Sequence, residues 1–463
     1  MQFLLIMAVV AALAISEYAP GQPVSGLGGR LAIAAGAIAV VAGFALACSV
    51  SIARRLHGEL ADHRALLRRF RFLRRVHTGL WLIAVGGILY WLDWPQLVRF
   101  NLALDRVPLI DDLLILAPIV LPLVLSWAAF YEVDRAVQLA LSAAENSPKE
   151  FPSRRRYLML HVRHYLGILL VPVLGLLAVQ DLLELIAPGG LDSSWAPLVM
   201  IASLGALFLL FPVFLRTIWQ TRPLPPGPLR DRLETTARRS GLPIRDVLVW
   251  HTDGMVVNAA VAGFVRRLRY VFLSDGLVAG LNDDEIEAVF RHELGHIRHH
   301  HLPLRVMAMV APLSVCLLLG QVCPGPVEQL ERRLGDGGLG LQVEVGLLML
   351  AAMGLYVLVG FGYFSRLLEH QADLSGCHST GPNPPRPPVE TFASALEKLA
   401  ESSGTGRKTR SWQHASIARR IDFLFLLSLD PRRELHFHRR VRLMGCLMAV
   451  AAIGPVVVGL LLG

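Results

Sequence analysis

Long apolar runs, separated by short polar segments, take up most of the chain. A helix needs about 20 mostly apolar residues to cross the hydrocarbon of a bilayer. Residues 31–51, 78–94, 107–132, 165–188, 195–219, 306–323, 345–364 and 443–463 meet that demand. A shorter run, residues 3–15, has the length of a signal-peptide core but lacks the basic start that such a peptide needs. Counted as a first span, it brings the expected total to nine.

Two polar blocks, 220–305 and 365–441, interrupt this pattern. The first opens with the breaker Pro223-Leu224-Pro225-Pro226-Gly227-Pro228. A helix is predicted over 230–239, followed by short β-rich pieces at 246–250, 255–261 and 269–273. Asn282-Asp283-Asp284 then supplies a cap and an acidic first turn, with Ile286, Val289 and Leu294 at helical spacing after it. In the second block, 365–377 reads as a helix continuing from a span. A Pro-rich loop (381–388), a helix (390–401), a polar Gly/Ser stretch (402–406) and a further helix follow. The expected organisation is a membrane region of about six spans (1–219), a first half-domain (220–305), a two-span hairpin (306–364), a second half-domain (365–441) and a C-terminal span (442–463).

Composition sharpens this picture. With 54% hydrophobic and only 17% charged residues in 463, the chain falls short of the roughly 25% charge of soluble domains. Disorder and disulfide scaffolds are excluded by the same figures. The net charge of +9 is carried almost wholly by arginine, since Lys149, Lys398 and Lys408 are the only lysines. Nucleic-acid binding requires a basic stripe on a folded domain; here the arginines cluster between apolar runs, and no nucleic-acid partner is expected. One cluster runs from Arg54 to Arg75 and another from Arg135 to Arg163, whereas the alternate loops are poor in arginine. The positive-inside rule therefore puts the rich loops, and both polar blocks, in the cytoplasm. Of five cysteines, Cys48, Cys316 and Cys446 sit in apolar runs and none forms a CxxC pair, so neither a disulfide framework nor a cysteine zinc site is indicated.

The sharpest chemical signal is His292-Glu293-Leu294-Gly295-His296. Residues four apart share a helix face, so both imidazoles can reach one ion, while Glu293 sits where it can take a proton from water. Two imidazoles, a carboxylate and water suit an open catalytic Zn²⁺ site, one per chain. A third ligand is available in Ser365-Arg366-Leu367-Leu368-Glu369-His370-Gln371-Ala372-Asp373. Glu369 can bind the metal, and Asp373, one turn on, can orient a ligating histidine.

HELGH, two spans, then S-R-x-x-E-x-x-A-D resembles the integral-membrane zinc metalloproteases that include the type I CaaX prenyl endoproteases and the HtpX-type proteases. Asn258-Ala259 upstream, and Ser411-Trp412-Gln413-His414-Ala415-Ser416 followed by Arg420-Ile421, extend the likeness over about 230–425, with Ala415 where the family has proline. The resemblance implies a mainly α, polytopic protein with a cytoplasmic-side α+β gluzincin-type domain split by a two-span hairpin. It implies His292, His296 and Glu369 as zinc ligands and Glu293 as the base. It also implies site roles for His414, at the oxyanion, and for Arg420, bracing the Glu369/Asp373 helix. An extended substrate would lie along the Asn258–Ala259 strand.

The expected function is a membrane-embedded zinc metalloendopeptidase in a bacterial cytoplasmic membrane, acting on membrane-associated or misfolded proteins and peptides. Two alternatives stand beside it: CaaX-type processing of lipidated peptides, and a non-enzymatic membrane scaffold, which intact Glu293 disfavours. His299, His300 and His301 are expected to extend the zinc helix as a solvated end rather than to form a second metal site. His370 is expected to point away from the ligand face. Asp111, Asp112, Asp181 and Glu184 either line a polar membrane cavity or snorkel to water.

Overall fold

The computed structural model describes residues 2–17, 22–56, 63–104, 107, 109–144, 151–322, 325, 329, 332, 348–377, 388–402, 407 and 415–462. The protein is mostly helical and divides into two compact units, Met1–Trp219 and Gln220–Gly463.

In the first unit, five helices are long and apolar enough to cross a bilayer: Leu27–Arg55, Arg68–Trp91, Ala117–Leu139, Arg154–Ile186 and Ala196–Ile218. The helix Gln2–Glu17 is equally apolar but has 16 residues, which reach about 24 Å, less than the roughly 30 Å of hydrocarbon. Ile33, Ile83 and Leu198 lie exposed along these helices, an arrangement stable only where the surrounding solvent is lipid. Four acidic residues of this unit are tied down. Asp111 and Asp112 are buried against Arg99, at 3.1 and 3.6 Å. Asp181 accepts the Leu109 N–H at 2.8 Å, and Glu184 accepts that of Gly189 at 2.8 Å. Both alternatives for Asp111 and Asp112, an open polar cavity or snorkelling to water, give way to a buried ion cluster, because Arg99 pairs with both carboxylates in place.

The second unit combines three further candidate spans, His301–Val322, Leu348–Gly376 and Arg432–Gly459, with a four-stranded sheet. Strands β1 (Thr221–Pro223), β2 (Asp246–Trp250), β3 (Ala259–Ala262) and β4 (Tyr270–Ser274) lie in the order β1-β2-β4-β3. β2 and β4 are parallel, with Leu248 opposite Phe272, and β3 runs antiparallel to β4, with Ala259 opposite Leu273. The piece expected at 255–261 begins only at Ala259: Asp253 and Gly254 both have positive φ, and Thr252 closes a turn by bonding the Val256 N–H. Asn258 still pairs with β4, exchanging main-chain bonds of 2.9 and 3.0 Å with the hydroxyl and N–H of Ser274.

The helix Asp283–Arg298 forms as its sequence demands. Asn282 and Glu285 make a reciprocal capping box, satisfying two N–H groups that a helix start leaves open. Ile286, Val289, Phe290 and Leu294 point into a core shared with Val271, Leu273, Phe392 and Leu424. On another side this helix meets the helix Gly362–Gly376 closely enough that a Cβ on Gly295 would lie 2.7 Å from the Ser375 side chain. That approach sets the distance between the two motif-bearing helices. Beyond Arg298 the helix does not continue: His300 has a φ of 55°, and a new helix starts at His301. The expected solvated extension through 299–301 is therefore replaced by a break, and only His300 is exposed there.

Candidate metal centre

His292 and His296 lie one turn apart on the Asp283–Arg298 helix, and Glu369 faces them from Gly362–Gly376. One donor atom from each falls within 4.8 Å of the others, a group able to hold a metal ion. The two Nε2 atoms are 3.3 Å apart, and the Glu369 oxygens lie 3.9 Å from His292 Nε2 and 3.7 Å from His296 Nε2. Tetrahedral ligands at zinc–nitrogen distances of about 2.0–2.1 Å sit about 3.3 Å from one another, so the imidazole pair already has the right separation.

Hydrogen-bond direction gives an independent test. His292 Nδ1 lies 3.0 Å from Asp373 Oδ1, and an ionised carboxylate can only accept. A proton on Nδ1 is the one that carboxylate favours; burial lowers the His292 pKa and Asp373 raises it, with a net rise, so Nε2 offers a lone pair once an ion displaces its proton. For His296 the assignment comes through a longer chain. Its Nδ1 is 2.8 Å from His301 Nδ1, His301 Nε2 is 3.1 Å from Gln371 Oε1, and Gln371 Nε2 is 2.8 Å from His438 Nδ1. The amide nitrogen of Gln371 donates to His438, so its oxygen accepts from His301 Nε2–H. Neutral His301 then offers only a lone pair at Nδ1, which obliges His296 to donate from Nδ1. With both imidazoles neutral and protonated at Nδ1, two Nε2 lone pairs would face each other across 3.3 Å, an arrangement that a cation between them relieves. The donor set fits zinc.

Charge around the cluster is arranged in pairs. Asp373, fully buried, takes both arms of Arg420, at 2.9 and 2.5 Å. Glu369 Oε1 accepts from Arg305 at 2.6 Å. Desolvation pushes the Glu293 carboxyl up to about 7, with His292 opposing the rise and Glu369 adding to it. Burial likewise holds His296 well below its ordinary value.

Of the residues singled out in the sequence, His292, Glu293, His296, Glu369, Asp373 and Arg420 converge here. His414 lies outside the described residues. Ser416, two positions later, caps the helix Ile417–Ser428 that carries Arg420. Asn258 is exposed and Ala259 buried at the start of β3, which packs against the Asp283–Arg298 helix at one edge of the sheet. His370 is mostly covered, its ring tilted against that of Phe423 at 4.3 Å and its Nδ1 3.8 Å from Asp373. Sequence reasoning passed over the roles of Gln371, Arg305 and His438, and gave His301, which is buried here, only a place in a solvated helix end. The break at His300 turns the His301 ring back towards His296, a contact that a continuous helix would forbid.

Residues 223–402 match the model of Peptidase family M48, a segment that holds both motif helices. Protease HtpX of Xanthomonas campestris pv. campestris (strain B100) is 27% identical over 177 residues, covering 38% of this chain and 58% of that protein. Protease HtpX of Shewanella piezotolerans (strain WP3 / JCM 13877) is 25% identical over 206 residues, 43% of this chain and 69% of that protein. The chain thus spans a little over half, 58%, of the length of the Xanthomonas relative. A crystal structure of S. mikatae Ste24p matches with a TM-score of 0.42 and 16% identity, over 87% of this chain and 100% of that one. The resemblance read from the paired motifs, to the M48 group of membrane zinc proteases, is borne out by the family match and the HtpX relatives.

Proposed function

We propose that this chain is a membrane-embedded zinc metalloendopeptidase that hydrolyses peptide bonds of membrane-associated or misfolded proteins at the cytoplasmic face of a bacterial membrane. The observation that carries this reading is the convergence of the His292 and His296 Nε2 atoms, 3.3 Å apart, with a carboxylate oxygen of Glu369. His292, His296 and Glu369 would hold the ion. A bound zinc supplies Lewis acidity, polarising a carbonyl and lowering the pKa of water to about 7.

The remaining steps belong to the chain's own side chains. Glu293, adjacent in sequence to His292 and held near pH 7 by desolvation, takes the proton from the attacking water and returns it to the leaving amine. Asp373 orients His292, and Arg420 acts through Asp373, which makes it a positioning residue. His301 does for His296 what Asp373 does for His292. β3 is an end strand of the sheet, so an extended substrate can add along Asn258–Ala259 by main-chain hydrogen bonding. His414 is proposed to share charge on the carbonyl oxygen.

Glu293→Gln tests the reading. Zinc content of the detergent-purified protein should stay at one per chain while peptide cleavage falls at least about a hundredfold. Near-full zinc-dependent cleavage by the variant would sink the assignment of the base. Loss of zinc as complete as in His296→Ala would make Glu293 a ligand.

A further inference from the structure

The last helix, Pro431–Leu462, has two unlike faces. In its apolar half Leu443, Leu447 and Val450 are 57%, 64% and 68% exposed, which is stable only against lipid. Counted back along the helix, Arg432, Arg439 and Arg442 fall within about 80° of Val450, and all three are exposed. The opposite face carries Val441, Gly445 and Ala452, all buried. The lipid-facing stripe of the span thus continues upward as a stripe of arginine. We propose that this stripe is a docking surface for the headgroups of anionic phospholipids.

Neighbouring helices fix the depth of these residues. Arg440 donates to the hydroxyl of Tyr363, which stands at the end of the apolar run 345–364. A Cβ on Gly445 would lie 3.0 Å from the Leu304 side chain, just before the apolar run 306–323. The three apolar runs therefore end at one level, between Arg440 and Gly445, and tyrosine is a characteristic residue of that level. At 1.5 Å per residue, Arg442 and Arg439 stand within about 6 Å of it, inside a headgroup layer of about 5–8 Å. Arg432 lies about 15 Å above Arg442, roughly one Debye length from the headgroups.

Charge selects the lipid. The nearby acids are engaged, Asp430 with Arg433 at 3.3 Å and Glu434 with His438 at 3.5 Å. Arg432, Arg439 and Arg442 are left facing the bilayer surface. Guanidinium forks match phosphodiester oxygens, and each basic residue near an anionic surface strengthens association roughly fivefold. A phosphatidylcholine headgroup cancels its phosphate with its own ammonium, so the stripe favours lipids without one. Between the two faces, His438 reaches Gln371 at 2.8 Å, so lipid held here would set the depth of a helix that touches the metal-bearing core. The surface includes no proposed metal ligand and does not depend on the chemistry proposed for them.

Cys446, exposed one turn below Arg442 on the same face, gives a local reporter. The full chain, with its other cysteines replaced by alanine, carries a fluorophore on Cys446 in phosphatidylcholine bilayers. Nitroxide-labelled phosphatidylglycerol should quench it at a mole fraction at least about fivefold lower than nitroxide-labelled phosphatidylcholine does. Salt near 1 M should remove the difference, since the Debye length is then about 3 Å. Arg439→Gln with Arg442→Gln should bring the two lipids to parity. Arg439→Lys with Arg442→Lys, which keeps the charge, should retain most of the preference. Arg266→Gln with Arg267→Gln, an equal loss of charge at exposed positions of the β3–β4 connection, should retain it too. Equal quenching in the wild type, a preference that survives the Arg439/Arg442 glutamine pair, or an equal loss in the Arg266/Arg267 pair would each overturn the proposal. The substituted arginines are all exposed, and the lysine pair reads the charge with the helix face otherwise unchanged.

Discussion

Replacing His301 by alanine should weaken zinc binding although His301 does not face the metal. His301 is buried, and its Nδ1 is the acceptor for the His296 Nδ1 proton at 2.8 Å. Its removal leaves that N–H unpaired in a covered site and frees Gln371 Oε1 as well. An unmade buried hydrogen bond costs about 1–3 kcal/mol. The cheapest relief is for His296 to move its proton to Nε2, which occupies the lone pair needed by the metal. Loss of such an outer partner typically reduces metal affinity about 10–100-fold, equivalent to about 1.4–2.7 kcal/mol. Zinc affinity measured by competition with a chromogenic chelator at fixed pH reads this directly. His301→Gln, which can again offer an oxygen acceptor, should recover part of the loss. His300→Asn, at the exposed left-handed position beside it, should change nothing. If His301→Ala binds zinc like the wild type while His292→Ala does not, the chain from His296 to His438 has no part in holding the ligand.

Three further outcomes follow from the same packing. Arg420→Leu strands the fully buried Asp373 without its bidentate partner, and breaking such a pair costs about 3–5 kcal/mol; a thermal midpoint within a degree of wild type would refute the brace. Gly295→Ala places a Cβ 2.7 Å from the Ser375 side chain and 3.3 Å from the Ala372 backbone, and overpacking of this kind costs about 1–3 kcal/mol. Adding Ser375→Gly should restore most of the lost midpoint, and a failure to do so would show that the helices can already part. Acid should loosen the second unit through Glu285. Burial works against its charge, but Lys398 at 2.7 Å, the Asn282 N–H and Ser394 hold its carboxyl below the ordinary value of 4.5. A depressed folded-state pKa stabilises above the unfolded value and loses that contribution as pH falls through the folded one. The stability of wild type relative to Glu285→Gln should therefore shrink below about pH 4.5; a gap that stays constant into acid would contradict this.

The chain's own pattern was enough to announce a polytopic helical membrane protein with two polar blocks. Apolar runs of spanning length have no other stable place, and helical spacing alone put His292 beside His296 and Glu369 beside Asp373. The capping box at Asn282 and Glu285 was equally legible, because a helix start is a local affair of four residues. Gln2–Glu17 shows where counting runs thin, since an apolar helix of 16 residues sits at the edge of what length can decide. Tertiary structure decided what touches what. His301 lies 70 residues from Gln371, and Gln371 67 from His438. No periodicity links partners on separate helices, and the left-handed turn at His300 reverses the face on which the next histidine falls. Arg420 is 47 residues from the Asp373 it clamps, and Arg305 is 64 from Glu369. A polar residue's face follows from local helix geometry, but its partner and proton are set only when distant helices pack and water leaves.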